Sequence, residues 1–224
     1  MTQILWDWNG TILDDAELCR GILNGMLTRR GLAPVSMERY RMIFTFPIRE
    51  YYRLAGFDFT QETYERLADE YMRIYPAEAR KVGLTPGVEE ALRRFHAAGI
   101  RQTIISACET GILRKQAACL HVERYFEGIY GAEDCLGGGK ETVARRWLVD
   151  CGGAAGETLF IGDTLHDCET ARILGCRPVL VSFGHQSRSR LEESGETVID
   201  SFEALYPIVF DCGKTGEADT VHDQ

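Results

Sequence analysis

The chain of 224 residues has no apolar run near the roughly 20 residues that a membrane-spanning helix needs, which excludes such a helix. It is poor in basic charge. Its 25 lysines and arginines face 34 aspartates and glutamates, for a net charge of -9, and that balance leaves no electrostatic footprint for nucleic acid. No basic flank and small-residue cleavage site precede the first strand candidate, so no export signal is expected. Cys-x-x-Cys spacing is missing too. The eight cysteines (Cys19, Cys108, Cys119, Cys135, Cys151, Cys168, Cys176 and Cys212) are scattered, which argues against a zinc site or a redox pair. Free thiols in a reducing cytoplasm are the expectation. No internal repeat is visible. Hydrophobic residues are plentiful at 45%, enough for one large domain or a core with a small insert.

The stretch around which the rest is organised comes first. Ile4-Leu5-Trp6 is a short apolar run that stops at Asp7, with Asn9-Gly10 as a turn signal. Asp7 then stands at the carboxyl end of a buried strand, where open α/β sheets bind ligands. From this stretch alone it is equally well a turn residue or a helix cap. Helical spacing follows. Leu18, Ile22 and Met26 share a face, Pro34-Val35-Ser36 starts a second helix, Pro47 opens a third, and Thr60 caps a fourth that ends near Pro76.

From Thr85-Pro86-Gly87 onward, helices and strands alternate. Strands are expected at Thr103-Ile104-Ile105, weakly from Phe126 to Tyr130, at Thr158 to Ile161, at Pro178 to Val181, and at Val198-Ile199. Helices are expected on Val88, Leu92 and Phe95, on Leu113 and Ala117, from Lys140 after Gly137-Gly138-Gly139, and around Cys168 to Leu174. This alternation is the signature of a parallel sheet covered on both faces. The expected fold class is α/β, a Rossmann-like parallel sheet core of residues 1–14 and 83–210. Residues 15–82 are expected as an inserted four-helix unit, and residues 211–224 as a frayed polar tail.

Polar groups fall at the strand ends: Asp7, Ser106, Lys140 before its helix, and Asp163 with Asp167. In a parallel sheet these share one edge. Carboxylates converging there repel unless something neutralises them, and magnesium does so with few protein ligands. A serine hydroxyl, backbone amides and a lysine make a phosphate cradle. Together these groups suggest phosphoryl transfer through an aspartyl-phosphate. Gly137-Gly138-Gly139-Lys140 is not a nucleotide loop, because Asp134 stands where its first glycine belongs and Glu141 where Ser or Thr is required.

Asp7-Trp8-Asn9-Gly10-Thr11, Ile104-Ile105-Ser106-Ala107, Lys140 and Gly162-Asp163-Thr164-Leu165-His166-Asp167 resemble, in order, the four motifs of the haloacid dehalogenase superfamily. The chain is most similar to its phosphoglycolate phosphatase-like members with a small helical cap. The resemblance implies a magnesium-dependent phosphatase acting on a small phosphorylated metabolite. It makes Asp7 the nucleophile, gives magnesium to Asp7, the Asn9 carbonyl, Asp163 and Asp167, and gives the phosphoryl group to Ser106, Lys140 and the amide near Ala107. Residues 15–82 become the cap. No nucleic acid or membrane partner is expected, and the protein is read as a monomer or homodimer.

One position departs from the pattern. Phosphatases of this superfamily carry a second aspartate two residues after the nucleophile, which protonates the leaving group; here it is Asn9. General acid–base help is worth roughly 10²–10⁴-fold, so acyl, anhydride and aryl leaving groups suffer least. Asp14, Asp15 and His166 are weighed as replacements, but Asp14 and Asp15 read first as caps and His166 as a solvent-facing loop residue. Arg49 and Arg53 are as well placed for a solvated face as for an anionic substrate. Gly184-His185-Gln186 follows the fifth strand and could line the edge of the site but reads first as a surface turn, and Tyr40, Phe44, Tyr64 and Tyr71 read mainly as bundle core. Two alternatives remain: a phosphate- and magnesium-binding protein with impaired turnover, or a dehalogenase- or phosphonatase-type hydrolase. The cap lysine on which phosphonate hydrolases rely has no counterpart before Lys81.

Overall fold

The structure, a computed structural model, describes residues 1–133, 139–152 and 157–210. Gly137, Gly138 and the tail 211–224 lie outside the described residues. Six parallel strands form one sheet: β1 (Gln3–Trp6), β2 (Arg101–Glu109), β3 (Gly128–Ala132), β4 (Thr158–Gly162), β5 (Arg177–Val181) and β6 (Thr197–Ile199), in the order β3-β2-β1-β4-β5-β6. The order reverses at β1, which pairs with both β2 and β4. That reversal opens a crevice at the carboxyl ends of the central strands.

β1 is fully buried because helices cover both faces of the sheet. Trp6 packs on Phe95 and Phe202, with ring centroids 6.3 and 6.1 Å away. Its indole N–H donates to Gln102 Oε1 at 3.1 Å, and the Gln102 amide donates on to the Leu92 carbonyl at 2.9 Å. The buried glutamine is thus satisfied rather than penalised. The weak third strand begins two residues later than its apolar pattern suggests, because Glu123–Tyr125 form a 3₁₀ turn and Phe126 ends it.

Four helices follow β1 and form an inserted bundle ahead of residue 83: α1 (Ala16–Arg29), α2 (Met37–Ile43), α3 (Ile48–Ala55) and α4 (Tyr64–Glu78). They enclose an apolar cluster of their own, with Leu23, Met26, Tyr40, Tyr51 and Leu67 among its buried members. Ser36 caps α2 as its sequence suggests, accepting from the Arg39 amide at 3.1 Å. The fourth helix is capped by Thr63 rather than Thr60, because Asp58 takes the Thr60 amide and hydroxyl into a turn of its own. It also runs past Pro76 to Glu78, since a proline in the last turn gives up one hydrogen bond without ending the helix. The chain enters and leaves this bundle side by side, with the Asp14 amide donating to the Gly83 carbonyl at 3.1 Å and the Thr85 amide to Ile12 at 2.9 Å.

Helices α5 (Val88–Ala97), α6 (Thr110–Cys119), α7 (Lys140–Cys151), α8 (Leu165–Leu174), α9 (Arg188–Glu192) and α10 (Leu205–Phe210) complete the layers. No helix among the described residues is long and apolar enough to cross a membrane. The cysteines Cys19, Cys108, Cys119, Cys151, Cys168 and Cys176 form no disulfide.

Candidate active site

Each of these polar residues is positioned by a short local device. The Asp7 amide donates to the Ile161 carbonyl at 2.8 Å, extending β1 by one residue and fixing its side chain at the sheet edge. Ser106 lies in β2, just where the pairing with β3 shifts register, and its Oγ accepts from the Cys108 amide at 3.1 Å. Lys140 is the first residue of α7. Asp167 closes a capping box at the start of α8, accepting at 2.9 Å from the Thr164 amide and at 3.1 Å from the Asp163 amide.

These devices bring the residues together. Asp7, Asp163 and Asp167 are all buried, and carboxylate oxygens from the three lie within 4.8 Å of one another. Lys140, also buried, reaches Asp7 Oδ1 at 2.7 Å and pairs with Asp167 Oδ1. Burial, reinforced by the charge of Asp167, pushes the Asp7 carboxyl up to about 8 against the pull of Lys140. Burial likewise lifts Asp163 to about 6, although the His185 charge opposes it. Lys140 is held above the ordinary lysine range because two carboxylates outweigh its own desolvation. Asp163 accepts from the Thr11 hydroxyl at 3.1 Å and the His185 amide at 2.6 Å.

Asn9 has a fixed side chain. Its Nδ2 donates to Asp15 Oδ2 at 2.7 Å and to the Tyr75 hydroxyl at 2.6 Å, and Tyr75 in turn donates to Asp15 at 2.8 Å. Asp15 stands at the cap position of α1 but makes no side-chain cap bond there. It turns inward instead, accepting also from the Gly10 amide at 2.9 Å and facing His185 Nε2 at 3.3 Å. Burial alone would raise Asp15, but His185, Asn9 and Tyr75 together bring it below the ordinary aspartate value. Burial would lower His185, but the bond to Asp15 and the nearby carboxylates lift it to about 9.

Gly184-His185-Gln186 is therefore not a surface turn. His185 bonds the Tyr40 hydroxyl at 2.7 Å, and Gln186 bridges the Leu165 amide and the Phe44 carbonyl, at 2.7 and 2.9 Å. The segment has partners both on the sheet and on the inserted helices, and their combined contacts bury it. The sequence clue was its place after β5, on the same edge as Asp7 and Asp163. His166 is helical rather than a solvent-facing loop residue, and stacks on Phe46 at 4.6 Å. Arg49 lies over the Phe59 ring and Arg53 pairs with Glu50, both away from the cluster.

The Gly10 backbone has φ +73°, and a Cβ there would collide with the Asp163 carboxylate and the His185 ring. Gly10→Ala is expected to cost roughly 2–4 kcal/mol, combining left-handed strain with overpacking. A denaturation midpoint unchanged from the native protein would contradict this close approach.

A cavity of about 200 Å³ opens over the cluster, walled by Asp7, Ser106, Ala107 and Lys140 below and by the rings of the inserted helices above. Buried acids, a lysine and a serine are thus grouped at the switch point of a parallel sheet, where open α/β folds bind their ligands. The chain belongs to the haloacid dehalogenase-like hydrolase family, whose family model matches residues 4–181. It is 24% identical over 212 residues to a phosphoglycolate phosphatase of Pseudomonas fluorescens (strain Pf0-1), covering 91% of this chain and 78% of the relative. It is 27% identical over 220 residues to a phosphoglycolate phosphatase of Agrobacterium fabrum, covering 92% and 91%. Among solved structures, a haloacid dehalogenase-like family hydrolase from Streptococcus pneumoniae shares the fold with a TM-score of 0.79 at 18% identity, covering 93% of this chain and 98% of that one.

Proposed function

We propose that the protein is a magnesium-dependent phosphatase that hydrolyses a small phosphorylated metabolite through an aspartyl-phosphate at Asp7. The observation that carries this reading is the meeting of Asp7, Asp163, Asp167 and Lys140 in one buried cluster beside Ser106. The donor set fits a hard divalent cation. Asp7, Asp15, Asp163 and Asp167 are buried with Lys140 and His185 as their cationic neighbours, which leaves an excess of negative charge among oxygen donors. Asp7, Asp163 and the main-chain carbonyl of Asn9 would hold magnesium, with Asp167 joining directly or through water. When bound, the ion supplies positive charge against the phosphoryl oxygens.

The chain's own residues do the rest. One oxygen of Asp7 attacks phosphorus in line with the leaving oxygen. Lys140 holds Asp7 in position and offsets the charge that the phosphoryl group brings. Ser106 Oγ and the amide of Ala107 orient the transferred group, and positioning of this kind is most of what such catalysis requires. Residues 15–82 act as a cap that excludes water during the transfer and opens for release. Phosphoglycolate is the substrate that the relatives' names suggest, and a reducing cytoplasm suits the free thiols.

Phosphate release from a panel of phosphate esters should require magnesium and stop with a chelator. Magnesium at a hundred times its dissociation constant should also raise the melting temperature by roughly 5–10 °C. Release that continues in chelator would remove the metal assignment. A thermal shift without release from any compound would favour a magnesium- and phosphate-binding protein with impaired turnover, the outcome Asn9 makes worth testing.

A further inference from the structure

The phosphatase reading leaves the alcohol half of the substrate open, and the cavity wall bears on it. Facing Asp7 and Ser106, the wall presents Phe44, Phe46, Tyr51, Tyr64, Tyr71 and Tyr75. The hydroxyls of Tyr71 and Tyr75 are already committed, Tyr71 to Cys19 at 3.0 Å and Tyr75 to Asp15 at 2.8 Å. Tyr51 is bonded to Tyr40, so apart from the Tyr64 hydroxyl these side chains offer a ligand ring surface. Among the described residues, the cations that line the cavity are Lys140, paired with Asp7 and Asp167, and His185, facing Asp15.

The arginines of the inserted helices are directed elsewhere. Arg41 donates to the Gly184 and Phe183 carbonyls at 2.9 and 2.6 Å, Arg49 covers Phe59, and Arg53 pairs with Glu50. A carboxylate beside the phosphate, as in phosphoglycolate, would enter an aromatic wall with no free counter-charge, and an unpaired buried charge is costly. An aromatic ring would instead gain offset or edge contacts with the wall.

A second, independent observation points the same way. The side chain two residues past Asp7 is an amide whose hydrogens are held by Asp15 and Tyr75, so it has no proton to give a departing oxygen. A phenol ionises near pH ~10, whereas an aliphatic alcohol lies close to water at ~15.7. A phenolate therefore leaves without help where an alkoxide does not.

We propose, resting on the phosphatase reading, that the substrates are phosphate monoesters of phenols. In the first step the Asp7 oxygen–phosphorus bond forms and the phosphorus–aryl oxygen bond breaks. The bonding pair stays on the phenolate, which takes its proton from water after release. Water then attacks phosphorus, restoring the Asp7 carboxylate and yielding inorganic phosphate.

The test compares phenyl phosphate, phosphoglycolate and acetyl phosphate, the last having an acidic leaving group but no ring, on the full chain with magnesium. Phenyl phosphate is expected to show a KM on the order of 10–100-fold below that of phosphoglycolate, as burial of one ring allows, and the higher kcat/KM. Ala68→Arg adds a cation to the cavity wall and should shift the kcat/KM ratio at least about tenfold toward phosphoglycolate. A ratio that does not move, in a variant with native melting temperature, overturns the assignment of this wall. If acetyl phosphate is hydrolysed and phenyl phosphate is not preferred to phosphoglycolate, the aryl class falls while the phosphatase stands. Release from none of the three removes both.

Discussion

Asp7→Asn is expected to lower phosphate release by on the order of 10⁴–10⁶-fold, as loss of a nucleophile does, while leaving the fold intact. An intact fold separates lost chemistry from unfolding. Asp7, Asp163 and Asp167 crowd around Lys140, and the Asp7 carboxyl is pushed up to about 8, mainly by burial. Ionisation at this position is costly in the metal-free protein, so a neutral amide of the same shape removes repulsion, and Lys140 keeps its partner Asp167. The melting temperature in chelator should therefore equal or exceed that of the native protein. Lys140→Met is the poorer choice, because it leaves carboxylates buried without a counter-charge and confounds chemistry with unfolding. Mass spectrometry after brief mixing with substrate should find a phosphoryl group on the native chain and none on the variant. Activity retained by Asp7→Asn would mean that another group attacks phosphorus.

The sheet was legible because its strands are short apolar runs that each end in a polar residue, and a run such as Ile4-Leu5-Trp6 has few other uses in so acidic a chain. Asp7, Ser106 and Asp163 could be picked out for the same reason, whereas Lys140 and Asp167 lie in the first turns of α7 and α8. Their meeting at one edge is dictated by parallel pairing rather than by any long-range sequence signal. Asp15 and His185 were harder to read. An acid at the start of a helix is ordinarily a cap, and only the tertiary structure shows Asp15 reaching past that position to Asn9 and Gly10. His185 follows β5 like any loop residue, and its burial depends on Tyr40 and Phe44, which the chain places roughly 140 positions earlier. The aromatic wall was legible as apolar residues but not as a wall, because helical spacing does not distinguish a ring facing its own bundle from one facing a cavity.

Asn9→Asp combined with Asp15→Asn is expected to raise kcat/KM for an alkyl ester such as glycerol phosphate by roughly 10²–10⁴-fold, the ordinary worth of a general acid, with little gain on phenyl phosphate. Asn9→Asp alone should gain less. Its new carboxyl would face Asp15, which accepts from the Asn9 amide at 2.7 Å in the native protein and is drawn below its ordinary value by its partners, His185 foremost. Two carboxyls that close share a proton, so the new acid would keep its proton at neutral pH but aim it at Asp15 rather than at the leaving oxygen. Exchanging the pair reverses the polarity of the three hydrogen bonds that join positions 9 and 15 and the Tyr75 hydroxyl. The amide then lies at position 15, where it can still accept from the Gly10 amide, and the carboxyl lies at position 9 beside the cavity. Phenolate departs without a proton, so the rate on phenyl phosphate should stay within a few-fold of native, since acid help matters least for good leaving groups. An exchange that leaves the alkyl-to-aryl ratio unchanged would show that the amide at position 9 is not what limits turnover. The selectivity would then rest on the aromatic wall alone.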